Sequence, residues 1–254
     1  MKTLAKRILH GAGFEVRRRR AEPPPGSEFR QVGDFRSFLE DVKARGFVPR
    51  TILDVGANEA GWSAVAKAVF PEAACFLIEP QVEMKPALEA FCERFKDCAY
   101  FLAGAGAVPG ELALTVYDDL VGSSFLPGES SAMLQAGKQR RVPIVTIDGL
   151  VAEGRMPAPN LAKLDVQGFE LDVLKGAADS LKNIEVILLE VSLFRFEKNW
   201  PVLHEVVAFM QSRGFAVYDF AGFMRRPRDG ALGQADVCFA RENGILRQSS
   251  DWSK

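Results

Sequence analysis

Thr51-Ile-Leu-Asp-Val-Gly-Ala-Asn-Glu-Ala-Gly61 is the stretch that decides the fold of this chain. Its first half, which ends at Val55, is an apolar run typical of a buried strand, and a loop of small residues follows. A helix-like segment then starts at Gly61. Strand, glycine-containing loop and helix start in this order indicate the ligand-binding corner of a doubly wound α/β sheet, where the helix N-terminus favours a carboxylate or phosphate.

The loop departs from the dinucleotide-binding pattern G-x-G-x-x-G. Asn58 stands where that pattern needs a second glycine to admit a pyrophosphate. Asp54 lies in the strand end, where its carboxylate would repel a pyrophosphate but would suit an ammonium or sulfonium group. These residues favour S-adenosylmethionine, which carries both cations, over a dinucleotide. The alternative is a buried Asp54 that caps the turn through backbone N–H groups.

A second acid follows the next apolar run. Cys75-Phe-Leu-Ile78 ends at Glu79-Pro80, and the proline stops the strand. An acid at the end of the second strand, about 20 residues after the loop, is placed to accept hydrogen bonds from ribose hydroxyls. We therefore predict that Glu79 holds a ribose. The alternative is an exposed strand-end acid with no ligand.

A third polar cluster is Lys163-Leu-Asp-Val-Gln-Gly-Phe-Glu170, a strand end that turns into a helix. Lys163 and Asp165 are two residues apart and share one face of the strand. Because an ion pair inside an apolar strand is costly to desolvate, the pair indicates a polar cavity; a structural pair plus a helix cap is the alternative.

The following strand, Val186 to Ser192, carries Glu190 near its end, beside Asp165. Two neighbouring carboxylates could bind a divalent cation, or one could take a proton from a substrate hydroxyl. The sequence leaves both roles open; a divalent cation is compatible with these residues but is not predicted.

Other catalytic residue types give weaker signals. His204 follows Trp200-Pro201 and falls in the first turn of a late helix, where a surface or capping role is favoured over that of a base. Ser123 and Ser124 are not part of a Gly-x-Ser-x-Gly motif, which disfavours serine hydrolysis.

The composition is that of an ordinary globular protein. The 254 residues are 48% hydrophobic and 26% charged, with a net charge of −1, so no global charge favours nucleic acid. The four cysteines (Cys75, Cys92, Cys98 and Cys238) form no Cys-x-x-Cys pair. We interpret them as reduced core residues, which predicts a cytoplasmic protein.

Three segments are predicted along the chain. Residues 1–33 form a basic, proline-rich tail that contains Arg17–Arg20, residues 34–243 form one domain, and residues 244–254 form a C-terminal tail. The N-terminal segment lacks the long apolar region of a signal peptide. A solvated basic arm is favoured, and contact with an anionic membrane surface through this tail stays open.

Short apolar runs alternate with amphipathic segments in the predicted domain. This alternation predicts an α/β fold: a mostly parallel seven-stranded sheet with helices on both faces. An antiparallel hairpin is expected at one edge, and a β insertion after the third strand, over residues 107–148, should cover the ligand edge. Strands are predicted near 51–56, 75–79, 99–104, 161–166, 185–191, 215–220 and 235–240, and helices near 35–45, 61–70, 82–95, 169–181 and 201–213.

The chain resembles the FkbM family of S-adenosylmethionine-dependent methyltransferases over roughly residues 48 to 242. The most specific match is the block Lys163 to Glu170, although the family usually has glutamate where this chain has Gln167. The loop from Glu59 to Ser63 departs mildly from the family pattern. The matching motifs are Ile52-Leu-Asp-Val-Gly-Ala-Asn58, Ile78-Glu-Pro80, Gly122-Ser-Ser124, Lys163-Leu-Asp-Val-Gln-Gly-Phe-Glu170 and Leu174-Lys-Gly-Ala177.

The resemblance implies a class I methyltransferase (Rossmann-like) sheet, bound S-adenosylmethionine and O-methylation of a hydroxyl. The acceptor is a small molecule or glycan: a sugar, a lipid-linked glycan and a polyketide all fit. Asp165 or Glu190 would orient or deprotonate it, and Lys163 would tune Asp165 or contact an acidic substrate. The expected cofactor contacts are Asp54 with the ammonium group, Gly56, Ala57 and Asn58 with the methionine half, Glu79 with the ribose, and Gly104 and Ala105 with the adenine.

Two other functions stay open. One is a nicotinamide-dependent oxidoreductase, which Asn58 disfavours. The other is a non-catalytic, membrane-adsorbed nucleoside-binding protein, which the polar residues Lys163, Asp165 and Glu190 disfavour. No nucleic-acid partner is expected, and the oligomeric state is left open.

Overall fold

A seven-stranded sheet forms the centre of the protein, in a computed structural model that describes residues 32–118, 120–126 and 128–251. A second sheet has three strands. In chain order the strands are β1 Thr51–Val55, β2 Ala74–Ile78, β3 Cys98–Phe101, β4 Gly104–Ala105, β5 Gly110–Thr115, β6 Gln139–Val145, β7 Leu161–Leu164, β8 Val186–Ser192, β9 Phe215–Arg225 and β10 Leu232–Arg241.

The strand order of the large sheet is β3-β2-β1-β7-β8-β10-β9. Its first five strands in this order, β3, β2, β1, β7 and β8, are parallel to one another. Strand β10 runs antiparallel to both β8 and β9. The chain reverses its order between β1 and β7, and ligands bind at such a switch point in open α/β sheets. This confirms the mostly parallel, Rossmann-like sheet and its antiparallel edge hairpin.

Helices cover both faces of the large sheet. The helices are α1 Phe35–Ala44, α2 Gly61–Val69, α3 Lys85–Arg94, α4 Ser131–Gln135, α5 Ile147–Ala152, α6 Glu170–Lys175 and α7 Leu203–Ser212. Helices α1 to α3 pack into one apolar cluster, and α5 to α7 pack into another. The strands alternate between the two clusters: Ile52 belongs to the first, and its neighbour Leu53 to the second.

The predicted β insertion is confirmed as the small sheet β4-β6-β5. The predicted third strand, 99–104, is shorter than expected: β3 ends at Phe101, and Gly104 and Ala105 pair with β6 instead. The predicted helix 169–181 is also shorter, since α6 ends at Lys175 and a 3-10 turn follows at Ser180–Asn183. Helices α4 and α5 lie in a region where only strands were predicted.

The predicted N-terminal tail lies almost entirely outside the described residues. At the other end, Ile245–Arg247 form a 3-10 turn, and Leu246 packs against the first apolar cluster. The domain boundaries at 34 and 243 remain predictions. Within the described ranges, none of the helices combines the length and apolar character that crossing a membrane requires.

Candidate active site

The loop between β1 and α2 is tightly wound. Gly56, Asn58 and Ala60 all have positive φ, at 76°, 48° and 60°. At Gly56 a Cβ atom would collide with the backbone carbonyl oxygen of Asp165, so only glycine fits there. Asparagine tolerates the left-handed conformation better than most residues, which explains how Asn58 replaces the glycine of the dinucleotide pattern.

Glu79 ties the end of β2 to this loop. Its carboxylate accepts a hydrogen bond from Asn58 N–H at 2.8 Å and another from Gln81 N–H at 3.0 Å. The side chain is buried, and this burial raises the pKa of Glu79, while the two N–H donors oppose the shift. Each carboxylate oxygen keeps a further lone pair for a ligand hydroxyl.

Asp54 is buried in the same region. Its Oδ2 accepts a hydrogen bond from the Ser63 hydroxyl at 2.7 Å, whereas Oδ1 has no hydrogen-bond partner among the described residues. Burial raises the pKa of Asp54, and the positive charge of Lys163 opposes that shift. A buried carboxylate oxygen without a partner is rare and indicates a ligand or water at that place.

A chain of polar contacts joins the ends of β7 and β8. Lys163 Nζ lies 2.9 Å from Asp165 Oδ2. The Gln167 side-chain amide donates to Asp165 Oδ1 and to Glu190 Oε2, each at 3.0 Å. Gln234 donates to the same Glu190 oxygen at 2.7 Å. The expected proximity of Asp165 and Glu190 is therefore present, with Gln167 as the bridge between them.

The charged groups of this cluster shift one another's pKa values. Burial lowers the pKa of Lys163, but the carboxylates of Asp165 and Asp54 outweigh burial and raise it above the ordinary value. Burial raises the pKa of Glu190 well above its usual range, and the negative charges of Asp165 and Asp236 add to this. Glu190 is therefore protonated at neutral pH, while Lys163 keeps its charge.

Asp236 is a fifth acid at this edge, after Asp54, Glu79, Asp165 and Glu190, and the sequence analysis missed it. It lies in β10 directly opposite Glu190 of β8. Burial raises the pKa of Asp236 to about 6; the positive charge of Lys163 opposes the shift and the negative charge of Asp165 adds to it. A charged residue inside the apolar run Ala235 to Ala240 was the available signal.

Two adjoining pockets contain all the candidate residues. The first lies between the carboxyl ends of β1 and β2 and the β insertion. The second opens beside it, and the two share Gly56, Asn58, Val121 and Asp165. Of the remaining candidates, Glu79, Gly104 and Ala105 line the first pocket, and Asp54, Ala57, Lys163 and Glu190 line the second.

The β insertion covers the first pocket, as predicted. Ser123 and Phe125 line it, and the Ser124 hydroxyl donates to the Gln167 carbonyl oxygen at 2.7 Å. A Cβ atom at Gly104 would collide with the Phe125 ring, so glycine lets the ring lie against the backbone. The resemblance to the family indicated Gly122 to Ser124, but it did not predict that Phe125 lines the pocket.

His204 and the cysteines lie outside the two pockets. His204 is exposed in the first turn of α7, in agreement with the favoured surface role. Cys75 and Cys238 are buried as expected, whereas Cys92 and Cys98 are only half-buried. No group of three histidine, cysteine or acidic residues in the described ranges has the arrangement of a metal site.

Comparison with known proteins gives one family and a partial relative. A family model described as the methyltransferase FkbM domain matches residues 54–217. The hexuronic acid methyltransferase AglP of Haloferax volcanii is 44% identical over 50 residues, which are 19% of this chain and 21% of AglP. The chain thus aligns with about a fifth of that curated relative.

Solved structures show weaker likenesses. An rRNA methylase from Streptococcus thermophilus has a TM-score of 0.48 and 9% identity, over 85% of this chain and 99% of that one. The 1,6-didemethyltoxoflavin-N1-methyltransferase of Burkholderia thailandensis, with bound S-adenosylhomocysteine, has a TM-score of 0.41 and 10% identity, over 82% and 79%. Likenesses of this degree do not bear on function.

Proposed function

Because this chain belongs to the FkbM methyltransferase family, we propose that it transfers a methyl group from S-adenosylmethionine to a hydroxyl group of a sugar, a glycan or a secondary metabolite. The observation that carries this proposal is the convergence of three strand-end acids on two adjoining pockets. Glu79 lines the first pocket, Asp54 lines the second, and Asp165 lines both.

The polar groups of the two pockets fit this cofactor. Asp54 and Trp62 line the second pocket, and Gln81 lines the first. Asp54 Oδ1, the Trp62 indole N–H and Gln81 Oε1 are buried and have no hydrogen-bond partner among the described residues. Buried polar atoms without partners suit a ligand that carries charged and hydroxyl groups. The bare backbone at Gly56 allows that ligand to lie close to the loop.

Each half of the cofactor has matching residues. Asp54 would hold the ammonium group, with Gly56, Ala57 and Asn58 along the methionine half. Glu79 would accept hydrogen bonds from the ribose hydroxyls. Gly104 and Ala105 would flank the adenine, beside the Phe125 ring that packs on Gly104. The bound cofactor supplies an electrophilic methyl group on a sulfonium.

The residues of the second pocket would act on the acceptor. Asp165, which forms an ion pair with Lys163, would orient the acceptor hydroxyl, and alignment of this kind can lower a barrier by roughly 7–11 kcal/mol. Glu190, protonated at neutral pH, would donate a hydrogen bond to another acceptor oxygen.

The charge of the second pocket supports a neutral acceptor. The acids Asp54, Glu59, Asp165 and Asp236 line it beside the protonated Glu190, with Lys163 as the counter-charge. A carboxylate on the acceptor would be repelled by this lining. The partial relative acts, by its name, on a hexuronic acid, which supports a sugar as the acceptor class. We therefore expect a neutral sugar to be preferred over its uronic acid.

The first test is binding by isothermal titration calorimetry. S-adenosylmethionine should bind saturably and NAD⁺ should not. Asp54→Asn should weaken S-adenosylmethionine binding about tenfold or more, because a hydrogen bond to a charged group contributes roughly 1.5–3 kcal/mol. Binding of NAD⁺ in preference to S-adenosylmethionine would instead support the oxidoreductase alternative.

The second test is transfer of a tritiated methyl group to methyl α-D-glucopyranoside, with D-glucuronate as the charged comparison. Transfer to the neutral glycoside should exceed transfer to the acid. Asp165→Asn should lower the rate, and an unchanged rate would remove Asp165 from the reaction. Tight cofactor binding without transfer to hydroxyl compounds would indicate a non-catalytic nucleoside-binding protein.

A further inference from the structure

Asp236 lines the second pocket although its strand, β10, runs opposite to the parallel strands of the sheet. Because β10 runs antiparallel to β8, its early residues lie at the carboxyl edge of the parallel strands. Asp236 pairs with Glu190 on one side and with Gly222 of β9 on the other. Its side chain lines the second pocket together with Lys163.

The carboxylate of Asp236 differs from those of its neighbours in its protein partners. Both oxygens of Asp165 are engaged, one by Lys163 and one by Gln167. Glu190 accepts two amide N–H groups and has a strongly raised pKa. By contrast, none of the residues that the structure describes forms a hydrogen bond or ion pair with the Asp236 carboxylate.

Strand β9 leaves space for this carboxylate. A Cβ atom at Gly222 would collide with Asp236 Oδ2. The backbone at Gly222 does not require glycine, since its φ is outside the left-handed region. Glycine in a strand interior weakens the strand and marks a close approach. The close approach here is that of the Asp236 carboxylate, which leans over the neighbouring strand.

We propose that Asp236 is the base that accepts the proton of the acceptor hydroxyl, an inference that rests on the methyl transfer proposed above. The hydroxyl oxygen forms the new bond to the methyl carbon. The bond between that carbon and sulfur breaks, and its electron pair stays on sulfur. The hydroxyl proton passes to the Asp236 carboxylate, so charge and atoms balance.

The electrostatics agree with this role. The titratable groups that face Asp236 are Lys163 and Asp165 at the end of β7 and Glu190 on β8. Asp236 has a pKa of about 6, so it is mostly ionised at neutral pH and still close enough to neutrality to hold a proton during the reaction. Glu190, already protonated, cannot serve as the base.

The first experiment needs no acceptor. Protein labelled with ¹³C at the aspartate carboxyl carbons is titrated by NMR, with Asp236→Asn to assign the resonance. S-adenosylmethionine should lower the apparent pKa of Asp236 more than S-adenosylhomocysteine does, because only the former carries a charge on sulfur. Asp229, on the exposed turn between β9 and β10, should titrate alike with both ligands. Equal pKa values of Asp236 with the two ligands would overturn the proposal.

The second experiment uses methyl α-D-glucopyranoside as the acceptor probe. Asp236→Asn should lower kcat/KM by roughly 10²- to 10⁴-fold and change the Kd of S-adenosylhomocysteine less than twofold. Gly222→Ala, which displaces the carboxylate without removing it, should also lower kcat/KM and spare that Kd. Asp229→Asn is the control and should change neither.

Two results would overturn the role of Asp236: turnover of Asp236→Asn equal to that of the wild type, or a loss of S-adenosylhomocysteine affinity as large as the loss of turnover. Failure of the wild-type protein to bind S-adenosylmethionine at all would be a different result. It would contradict the proposed function itself.

Discussion

Gly56 is the residue on which the shape of the ligand loop depends most. Two constraints meet there: a φ of 76° and a Cβ position that the Asp165 carbonyl oxygen would occupy. Either constraint alone disfavours a side chain, and together they fix glycine at the point where β1 turns toward α2.

Gly56→Ala should therefore destabilise the protein by roughly 1–3 kcal/mol or more, and it should also weaken S-adenosylhomocysteine binding. Gly61→Ala is the matched control, since nothing lies within 4 Å of its Cβ position. In that variant stability should stay the same or rise by roughly 0.5–1 kcal/mol, because alanine favours a helix more than glycine does. Urea unfolding of both variants is the measurement, and equal stabilities would contradict the steric account.

Glu79 holds the ligand loop through two backbone N–H groups and, in the proposed function, also binds the ribose. The variant Glu79→Gln tests whether it has this binding role. The variant keeps one carbonyl oxygen but places an amide NH₂ against a backbone N–H, either that of Asn58 or that of Gln81. Affinity for S-adenosylhomocysteine should fall by roughly 10- to 100-fold, as measured by calorimetry. Glu89→Gln, on an exposed helix face, is the control. Unchanged affinity of Glu79→Gln would remove Glu79 from the ribose site.

The residues that the sequence revealed share a local signal. Asp54 lies near the end of an apolar parallel strand, and Glu79 and Asp165 directly follow one, so the rule for carboxyl ends applies to them directly. The rule did not identify Asp236, because β10 runs in the opposite direction and Asp236 lies near its start. Its place at the edge depends on the pairing between β8 and β10, which the residues around Asp236 do not predict.

At the scale of elements, an ion pair attaches the β insertion to the turn that follows β2 of the large sheet. Arg140 of β6 makes two hydrogen bonds to the Glu83 carboxylate, at 2.6 and 2.5 Å, in the 3-10 turn after β2. These bonds hold the pKa of Glu83 at about 2. The pair thus connects the wall formed by the insertion to the segment that follows Glu79.

Glu83→Gln should loosen this connection and weaken S-adenosylhomocysteine binding several-fold. The free energy of unfolding should change by less than about 1 kcal/mol, because the pair is partly exposed. Glu129→Gln breaks an exposed ion pair with Arg141 within the insertion and is the control. Calorimetry on both variants should show an affinity loss in the first alone; equal affinities would contradict a connecting role.

Elements with a clear period were predicted well, and those fixed by distant partners were not. The confirmed family resemblance and the alternation of strands and helices led to the large sheet and the insertion. Helix α5 was not predicted, because it is only six residues long and contains Gly149, a poor helix former. The pairing of Gly104 and Ala105 with β6 depends on residues about 40 positions away in the chain.

At the scale of the whole molecule, several buried acids oppose folding at neutral pH. Glu170 at the start of α6 is the clearest, since burial raises its pKa from 4.5 to about 7 although two backbone N–H groups donate to it. The folded state binds the proton more tightly than the unfolded state. The contribution of Glu170 to the free energy of unfolding is therefore fully present below about pH 4.5 and is lost as the pH rises through about 7.

Glu170→Gln should reduce this loss. The amide keeps a carbonyl oxygen for both N–H donors and cannot ionise. Between about pH 5 and 8 the unfolding free energy of the wild type should fall more steeply, by up to roughly 3 kcal/mol, than that of the variant. Urea unfolding at each pH is the measurement, and parallel curves would contradict the assignment.

The most direct test of the whole account is a crystal structure of the protein with S-adenosylhomocysteine. The account predicts the nucleoside in the first pocket, with the Glu79 carboxylate within roughly 3 Å of the ribose hydroxyls and the amino group directed toward Asp54. A nucleoside bound elsewhere, or in this pocket without a contact to Glu79, would contradict the central claim.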